Sequence, residues 1–287
     1  MCIEILCKFA NMNKCAHIVL ILLSIILLCS CDGYSRLVKS EDYATQYSEA
    51  KRYYDEERYS RARQLLENLQ LHYRDRENAE NILWYYSQCL LKQKDYYLAA
   101  YNFTMFTKRY PYSTRAEEGL YLAAYCKYKE APPSYLDQTI TKDAIEEFER
   151  FAERYPSSIH IPEVNAYLDD MNKRLMQKDY DIAVGYYNIE SYHAAYVALK
   201  NFLNLYPDSP NREDAMYYIL RSGYEYASNS REDKMQERLQ QVVGDFDKFA
   251  TTFTNSKYKE SAQEIYTKSK ALLAKIEQEQ SGESAKK

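Results

Sequence analysis

The sequence predicts an all-α fold built from tandem helix-turn-helix repeats, and three observations support this prediction. An apolar ladder with spacings of three, four, three and four marks one face of an α-helix and occurs five times. The intervals between ladders leave room for a second helix each, since the ladders begin at Tyr59, Tyr96, Thr141, Tyr192 and Leu239. Three ladders end in Tyr-Pro, at 110–111, 155–156 and 206–207. Proline cannot continue a helix, so each of these ladders should end there.

The five ladders have a common composition, with a small residue at the second position of four copies and a large apolar residue at the fourth position of all five. In chain order they are Tyr59, Ala62, Leu66, Leu69, Tyr73; Tyr96, Ala99, Phe103, Phe106, Tyr110; Thr141, Ala144, Phe148, Phe151, Tyr155; Tyr192, Ala195, Leu199, Phe202, Tyr206; and Leu239, Val242, Phe246, Phe249, Phe253. This pattern resembles the tetratricopeptide repeat (TPR), whose period is about 34 residues before insertions. We therefore predict a TPR superhelix of five helix-turn-helix repeats with a C-terminal capping helix.

The helices that precede the ladders support a tandem duplication. The segment before the ladder at Tyr59 contains Tyr47, Ala50, Tyr53 and Tyr54. The segment before the ladder at Tyr192 has the same residue types at the same distances from its ladder, at Tyr180, Ala183, Tyr186 and Tyr187. All nine matching positions are separated by the same interval, the one from Tyr59 to Tyr192. A helix, turn and helix that match in phase indicate two copies of one unit.

The predicted elements follow in chain order over residues 41–277. Repeat 1 pairs residues 41–56 with 60–73, repeat 2 spans 78–110, repeat 3 begins near 114, repeat 4 contains one long helix over 163–188, and repeat 5 pairs 212–227 with 233–253. The proline-broken stretch 131–138 reads as a loop that projects from one face of repeat 3. A last helix over about 256–277 caps the array. Residues 278–287 are small and polar, which predicts a disordered tail.

Residues 1–30 have the features of a secretory signal peptide. Lys8 and Lys14 precede an apolar run over 18–28, which is too short to span a bilayer comfortably. The run ends in Leu28-Cys-Ser-Cys31, which resembles a bacterial lipobox. We therefore expect residues 1–30 to be removed and Cys31 to be lipidated, with 31–40 as a polar tether. The alternatives are an ordinary signal peptide cleaved elsewhere and a translation start at Met12.

A lipoprotein carries more than one acyl chain, and two or more chains anchor a protein stably to a membrane. The mature protein should therefore stay on a membrane. Asp32 follows the predicted lipidation site. In enteric bacteria this residue favours retention in the inner membrane, although the rule does not hold in every phylum, so the sorting route stays open.

The sequence predicts neither an active site nor a cofactor or metal site. The histidines left after processing, His72, His160 and His193, lie in no metal-binding motif, and six glycines could hardly build a phosphate loop. The formal net charge of −4 does not favour nucleic acid as a partner.

The two remaining cysteines occupy equivalent positions in consecutive repeats. Cys89 follows Tyr73, the end of the first ladder, at the same interval as Cys126 follows Tyr110, the end of the second. Equivalent positions in stacked repeats lie too far apart for a disulfide, so we expect two separate buried thiols.

In TPR proteins the first helix of each repeat lines a concave groove. The corresponding positions are Tyr47, Lys51 and Tyr54 in repeat 1, Trp84, Gln88, Leu91 and Lys92 in repeat 2, and Tyr121, Tyr125, Tyr128 and Lys129 in repeat 3. Six of these eleven side chains are aromatic, and exposed aromatic patches indicate a partner. Rings with interspersed lysines suit a peptide that has aromatic side chains and a terminal carboxylate. The alternative is that the tether or a neighbouring helix fills the groove.

Several motifs together carry a resemblance to a known family. They are the lipobox, the five repeats, the Pro-Pro insertion that leads into residues 136–141, the Phe-x3-Tyr-Pro-x-Ser motif at 151–158, and Tyr-Pro-Asp-Ser at 206–209 followed by a long C-terminal helix pair. Over residues 31–275 the chain resembles the BamD family of lipoproteins in the outer-membrane β-barrel assembly (BAM) machinery, in its Bacteroidetes-type form. Single TPR motifs are unspecific, so the resemblance depends on this combination.

The resemblance implies a scaffold on the outer membrane that faces the periplasm and is anchored through the lipid on Cys31. The N-terminal repeats would bind the aromatic-ended C-terminal signal of unfolded outer-membrane proteins. The C-terminal repeats would dock on the periplasmic domains of the barrel subunit BamA. This function consists of binding and handover, without covalent chemistry or a cofactor.

Two other functions remain open. One is a different TPR lipoprotein that coordinates envelope constriction or peptidoglycan synthesis. The other is a glycan-binding lipoprotein of the starch-utilisation type, although such chains are far longer and rich in tryptophan, whereas this chain has one Trp.

Overall fold

The computed structural model describes residues 33–73 and 77–284, and every regular element in these ranges is helical. The helices are α1 (33–38), α2 (Tyr43–Asp55), α3 (Tyr59–His72), α4 (Ala79–Lys92), α5 (Tyr96–Arg109), α6 (Ala116–Glu130), α7 (Thr139–Arg154), α8 (Ile161–Asn188), α9 (Tyr192–Leu205), α10 (Arg212–Ser228), α11 (Glu232–Thr252) and α12 (Lys259–Ser284). The predicted all-α helical-repeat fold is confirmed. The signal peptide and Cys31 lie outside the described residues.

The helices form consecutive pairs from α2–α3 to α10–α11, with α12 after the last pair. The 28-residue helix α8 accounts for the long interval before the fourth ladder. The chain divides into two compact units. One contains α1 to α7, and the other contains α8 to α12 together with the loop before α7.

The ladders form the core of the repeats. Their second positions, Ala62, Ala99, Ala144, Ala195 and Val242, are buried in all five copies. The large residues at the fourth position are also buried, and four of these five are phenylalanines. Burying one such side chain contributes about 1.5–3 kcal/mol. A small residue at the second position lets the neighbouring helix approach closely, and the large one fills the space between them.

Four of the ladders end in a common turn. The backbone N–H of Tyr110 donates to the carbonyl of Phe106 at 2.8 Å, and Ser113, three residues later, bonds back to the Tyr110 carbonyl. The Ser113 hydroxyl then accepts the N–H of Arg115 at 3.0 Å, so the serine starts the next helix. Equivalent serines act in the same way at Ser158, Ser209 and Ser256.

Proline is not essential for this turn. Phe253 has φ −123° and ψ 70°, close to the −128° and 67° of Tyr206, although no proline follows Phe253. The aromatic residue and the serine therefore define the turn, and proline reinforces it in the three Tyr-Pro copies.

The turns inside three repeats contain a residue in the left-handed region. Glu57, Lys94 and Glu190 have φ values of 57°, 62° and 60°, and each lies two residues before a ladder helix. The residues that follow them close the turn; for example, the Arg58 N–H donates to the Tyr53 carbonyl at 2.8 Å. Glycine is the usual residue at such a helix C-terminus because a side chain there is strained.

Replacing Glu57, Lys94 or Glu190 by glycine should therefore stabilise the protein. We expect each change to raise the free energy of unfolding by about 0.5–1 kcal/mol, because the relief of strain exceeds the entropic cost of glycine. Urea denaturation followed by circular dichroism measures the change. Alanine at the same positions is the control and should give no gain. A glycine variant no more stable than its alanine counterpart would show that these turns store no strain.

Residues 33–38 form a docked helix, where the sequence predicted a polar tether. The Tyr34 hydroxyl donates to the Arg61 carbonyl at 2.9 Å, and its ring lies 5.6 Å from that of Tyr53. Gln46 donates its side-chain amide to the carbonyls of Leu37 and Ser40. The apolar side chains of Tyr34, Leu37 and Val38 pack against the core, which explains why this segment is ordered. The helix α1 thus packs against both helices of the first repeat, α2 and α3.

One other boundary differs from the sequence prediction. Helix α12 continues to Ser284, through most of the segment predicted to be a disordered tail. Its residues near 275–280 are good helix formers, and Lys275 and Glu279 form a helical ion pair at 3.8 Å.

Two side chains hold the loop before α7. Lys178 donates to the Leu136 carbonyl at 2.8 Å, and the buried amide of Gln138 donates to the Pro133 carbonyl. Tyr135 at its tip is exposed, as expected for a projecting loop.

Candidate functional site

The predicted groove residues lie on the first helices of the N-terminal repeats, α2, α4 and α6, and they differ in exposure. Lys51, Lys92 and Lys129 are exposed; Tyr47, Tyr54, Leu91, Tyr125 and Tyr128 are half-buried; Trp84, Gln88 and Tyr121 are buried. The face therefore presents partly covered rings and exposed ammonium groups to solvent, over a floor of buried side chains.

Trp84 belongs to the core between α4 and α5. Its ring is 7% exposed and lies 5.0 Å from that of Phe106 and 5.6 Å from that of Phe103. The Arg115 guanidinium lies 5.5 Å from the ring on another side. The indole thus joins two helices and offers little surface to a ligand.

Tyr121 has the equivalent role in repeat 3. It is 7% exposed, and its ring stacks on the imidazole of His160 at 4.0 Å with an angle of 9°. The ring of Phe151 lies 5.8 Å away. His160 is positioned by the Ser158 hydroxyl, which accepts its backbone N–H. The stack thus ties the end of the third ladder to α6.

Substitution of buried and of exposed groove residues should change the free energy of unfolding by clearly different amounts. We expect Trp84→Ala to lower the free energy of unfolding by about 3–5 kcal/mol, because it leaves a cavity between two helices. Lys92→Ala on the same helix is the matched control and should change stability by less than about 0.5 kcal/mol. Chemical denaturation of both variants measures the difference. Equal stabilities would mean that Trp84 is not a core residue.

Three tyrosines form a cluster on the half-buried part of the face. The ring of Tyr54 lies 5.6 Å from that of Tyr59 and 5.0 Å from that of Tyr85, both edge to face. Burial raises the pKa of Tyr54 to about 12, so its hydroxyl is neutral at physiological pH. Burial also raises the pKa of Tyr47, and the nearby charge of Arg115 partly offsets this. The cluster is therefore an uncharged aromatic surface with donor hydroxyls.

The same cluster occurs in the C-terminal unit, at the interval that relates the two copies of the duplication. The ring of Tyr187 lies 5.6 Å from that of Tyr192 and 5.3 Å from that of Tyr218. The Arg221 guanidinium lies over the Tyr187 ring at 4.6 Å. The equivalent of Arg221 in the first unit is Gln88, so the two copies share their rings and differ in charge.

The sequence predicted Trp84 on the open face, whereas the structure has Tyr85 there and Trp84 in the core. Adjacent residues on a helix point about 100° apart, so a one-residue error in phase moves a ring from the open face to the core. The duplication contained the signal that could have found it, because the interval from Tyr85 to Tyr218 equals that from Tyr54 to Tyr187.

Cys89 and Cys126 are free and buried, which confirms the prediction of two separate thiols. Burial raises the pKa of each to about 12. Both are therefore protonated and poorly nucleophilic at neutral pH. They pack in the repeat core and take no part in the open face.

The open face of α2, α4 and α6 offers a ligand aromatic contacts, hydroxyl hydrogen bonds and attraction to the lysines.

Within the described residues, no three side chains of His, Cys, Asp or Glu come together as a metal site would require. In the same part of the chain, no helix has both the length and the apolar character needed to cross a bilayer.

Comparison with known proteins identifies one family. A family model named YfiO and described as an outer membrane lipoprotein matches residues 39–196 and 180–281. The two matched ranges together cover α2 to α11 and most of α12. No curated protein matches the chain.

Proposed function

Because the chain belongs to the YfiO family of outer membrane lipoproteins, we propose that it is a scaffold of the β-barrel assembly complex. It faces the periplasm, binds unfolded outer-membrane proteins and docks on BamA for their folding and insertion. The observation that carries this proposal is the family match, which extends over both repeat units rather than over a single repeat. The aromatic face on the N-terminal repeats supplies a surface suited to the substrate.

The anchor in this proposal is a lipid on Cys31. Helix α1 is already formed at Gly33, so only a few ångströms of chain separate it from the proposed lipid. Because α1 is docked on α2 and α3, the lipid would hold the first repeat close to the bilayer surface. The docking contacts of α1 include Tyr53, Arg61 and Gln46, which are not the proposed groove residues.

The substrate site in this proposal is the open face of α2, α4 and α6. Its half-buried rings, Tyr47, Tyr54, Tyr125 and Tyr128, and the side chain of Leu91 would pack against aromatic side chains of an unfolded barrel protein. The exposed ammonium groups of Lys51, Lys92 and Lys129 would attract its terminal carboxylate. Trp84, Gln88 and Tyr121 would support this face from beneath, since they are buried.

The BamA site in this proposal lies on the C-terminal unit. A groove of about 500 Å³ there is lined by Lys200, Arg212 and Lys248 together with Leu203 and Met216. Lys200 is paired with Asp245 at 2.9 Å. The remaining positive charge beside an apolar floor suits an acidic domain surface. Two separate sites would let the protein hold its substrate and its partner at once.

A peptide-binding experiment tests the substrate site. The probes are a decapeptide that ends in phenylalanine with a free carboxylate and the same peptide with an amidated terminus. We expect the protein to bind the free acid several-fold more tightly. The combined variant Lys51→Glu, Lys92→Glu and Lys129→Glu should bind it about tenfold more weakly and lose the preference, because the favourable charges are reversed. Fluorescence anisotropy measures the affinities.

The matched control reverses three exposed lysines elsewhere, Lys39, Lys108 and Lys142, and so has the same net charge. It should retain the affinity and the preference. If both variants bind the free-acid peptide equally more weakly, the change in affinity is due to net charge and not to this face. If the first variant binds the peptide as tightly as the unmodified protein, this face is ruled out as the substrate site.

A further inference from the structure

The N-terminal unit contains an open cavity, formed by the ladder helices α5 and α7 with the C-terminal end of α6. Its volume is about 310 Å³, enough for a large apolar side chain. The lining residues are Tyr97, Ala100, Tyr101, Thr104, Lys127, Glu130, Ile140 and Asp143. They are distinct from the eleven proposed groove residues.

An exposed apolar stripe on α5 leads into this cavity. Tyr97, Tyr101 and Met105 are spaced four residues apart on one face of the helix. Their side chains are 74%, 61% and 40% exposed. Ile140 on α7 is also exposed and forms part of the cavity wall. Large apolar side chains grouped in this way around a cavity indicate a binding surface, unlike single exposed ones.

The other repeats show that the fold does not require apolar residues at these positions. The equivalent residues of the other ladder helices are Ser60, Gln64 and Asn68 in α3; Lys142, Glu146 and Arg150 in α7; His193, Val197 and Asn201 in α9; and Gln240, Gly244 and Lys248 in α11. Of these twelve, Val197 alone is a large apolar residue. The stripe on α5 is thus a specific feature of the second repeat.

The charges at the cavity indicate what it would bind. Lys127 pairs with Glu147 at 2.9 Å, and Arg150 pairs with both Glu147 and Glu146, so these two cations and two carboxylates balance. The carboxylates of Glu130 and Asp143 are exposed and line the cavity. The local surface is therefore apolar with an excess of negative charge, which complements a basic and apolar partner.

We propose that this cavity is a docking site for a partner protein segment that inserts a large apolar side chain and carries lysine or arginine beside it. Tyr97, Tyr101 and Ile140 enclose the apolar side chain, and Glu130 and Asp143 pair with the basic residues. The apolar wall of the site lies on the ladder helices α5 and α7, and none of its lining residues is a proposed groove residue, so it can be occupied while the face of α2, α4 and α6 binds another ligand.

The test uses the full lipidated chain in detergent and two helical peptides. The basic peptide carries leucine and phenylalanine four residues apart with flanking lysines, and the acidic peptide has glutamate at the lysine positions. We expect the basic peptide to bind at least about tenfold more tightly. The variant Tyr97→Ser, Tyr101→Gln and Met105→Asn should lose this binding. It introduces the residues that α3 already has at these positions, so it should fold normally.

A second variant, Asp143→Lys with Glu130→Lys, should invert the preference between the two peptides without changing the apolar wall. Binding of the phenylalanine-ended decapeptide should stay the same in both variants, which separates this site from the proposed substrate site. Equal binding of the basic and acidic peptides would overturn the proposal. Self-association that is lost in the first variant, measured by sedimentation velocity, would also overturn it, because the occupant would then be a second copy of this chain.

Discussion

The structure depends on the close approach of neighbouring helices at the small residues of the repeats. Alanine at the second ladder position is buried in four copies, and the adjacent large residues close around it. Glycines allow the same approach on the first helices. A Cβ at Gly119 would lie 3.0 Å from Thr107, and one at Gly223 would lie 3.0 Å from Val242. Larger side chains at these points would push the helices apart, and the faces that they present would lose their geometry.

The packing of the ladders determines what remains available for binding. Because the second and fourth ladder residues are buried between helices, the surfaces left for binding are the outer faces of the first helices and of the ladder helices. The first face carries the tyrosine cluster, which recurs with nearly equal ring distances in both units. The second face is polar in most repeats and apolar in α5. A scaffold with several partners requires such separate surfaces, and the described helices supply two kinds of them.

Much of the fold could be predicted from the sequence because the ladder pattern is local and repeated. The long helix α8 followed from the absence of turn residues between Glu163 and Asn188. The docking of α1 could not be predicted in this way, because Tyr34 and Leu37 become a helix face only when α2 and α3 are present to cover them. The groove on α2, α4 and α6 stays a prediction. The burial of Trp84 could not be predicted, because whether a ring is buried or exposed depends on the neighbour against which its helix packs.

We propose that this chain is a scaffold of the β-barrel assembly complex, and the proteins with which it associates in the membrane test this most directly. The tagged, lipidated protein would be purified from chemically crosslinked membranes, and the recovered chains would be identified and quantified by mass spectrometry. We expect to recover a large β-barrel protein with tandem periplasmic domains in near-equal amount. Recovery of cell-wall synthesis or constriction proteins in its place would contradict this proposal and indicate that the same fold serves envelope coordination.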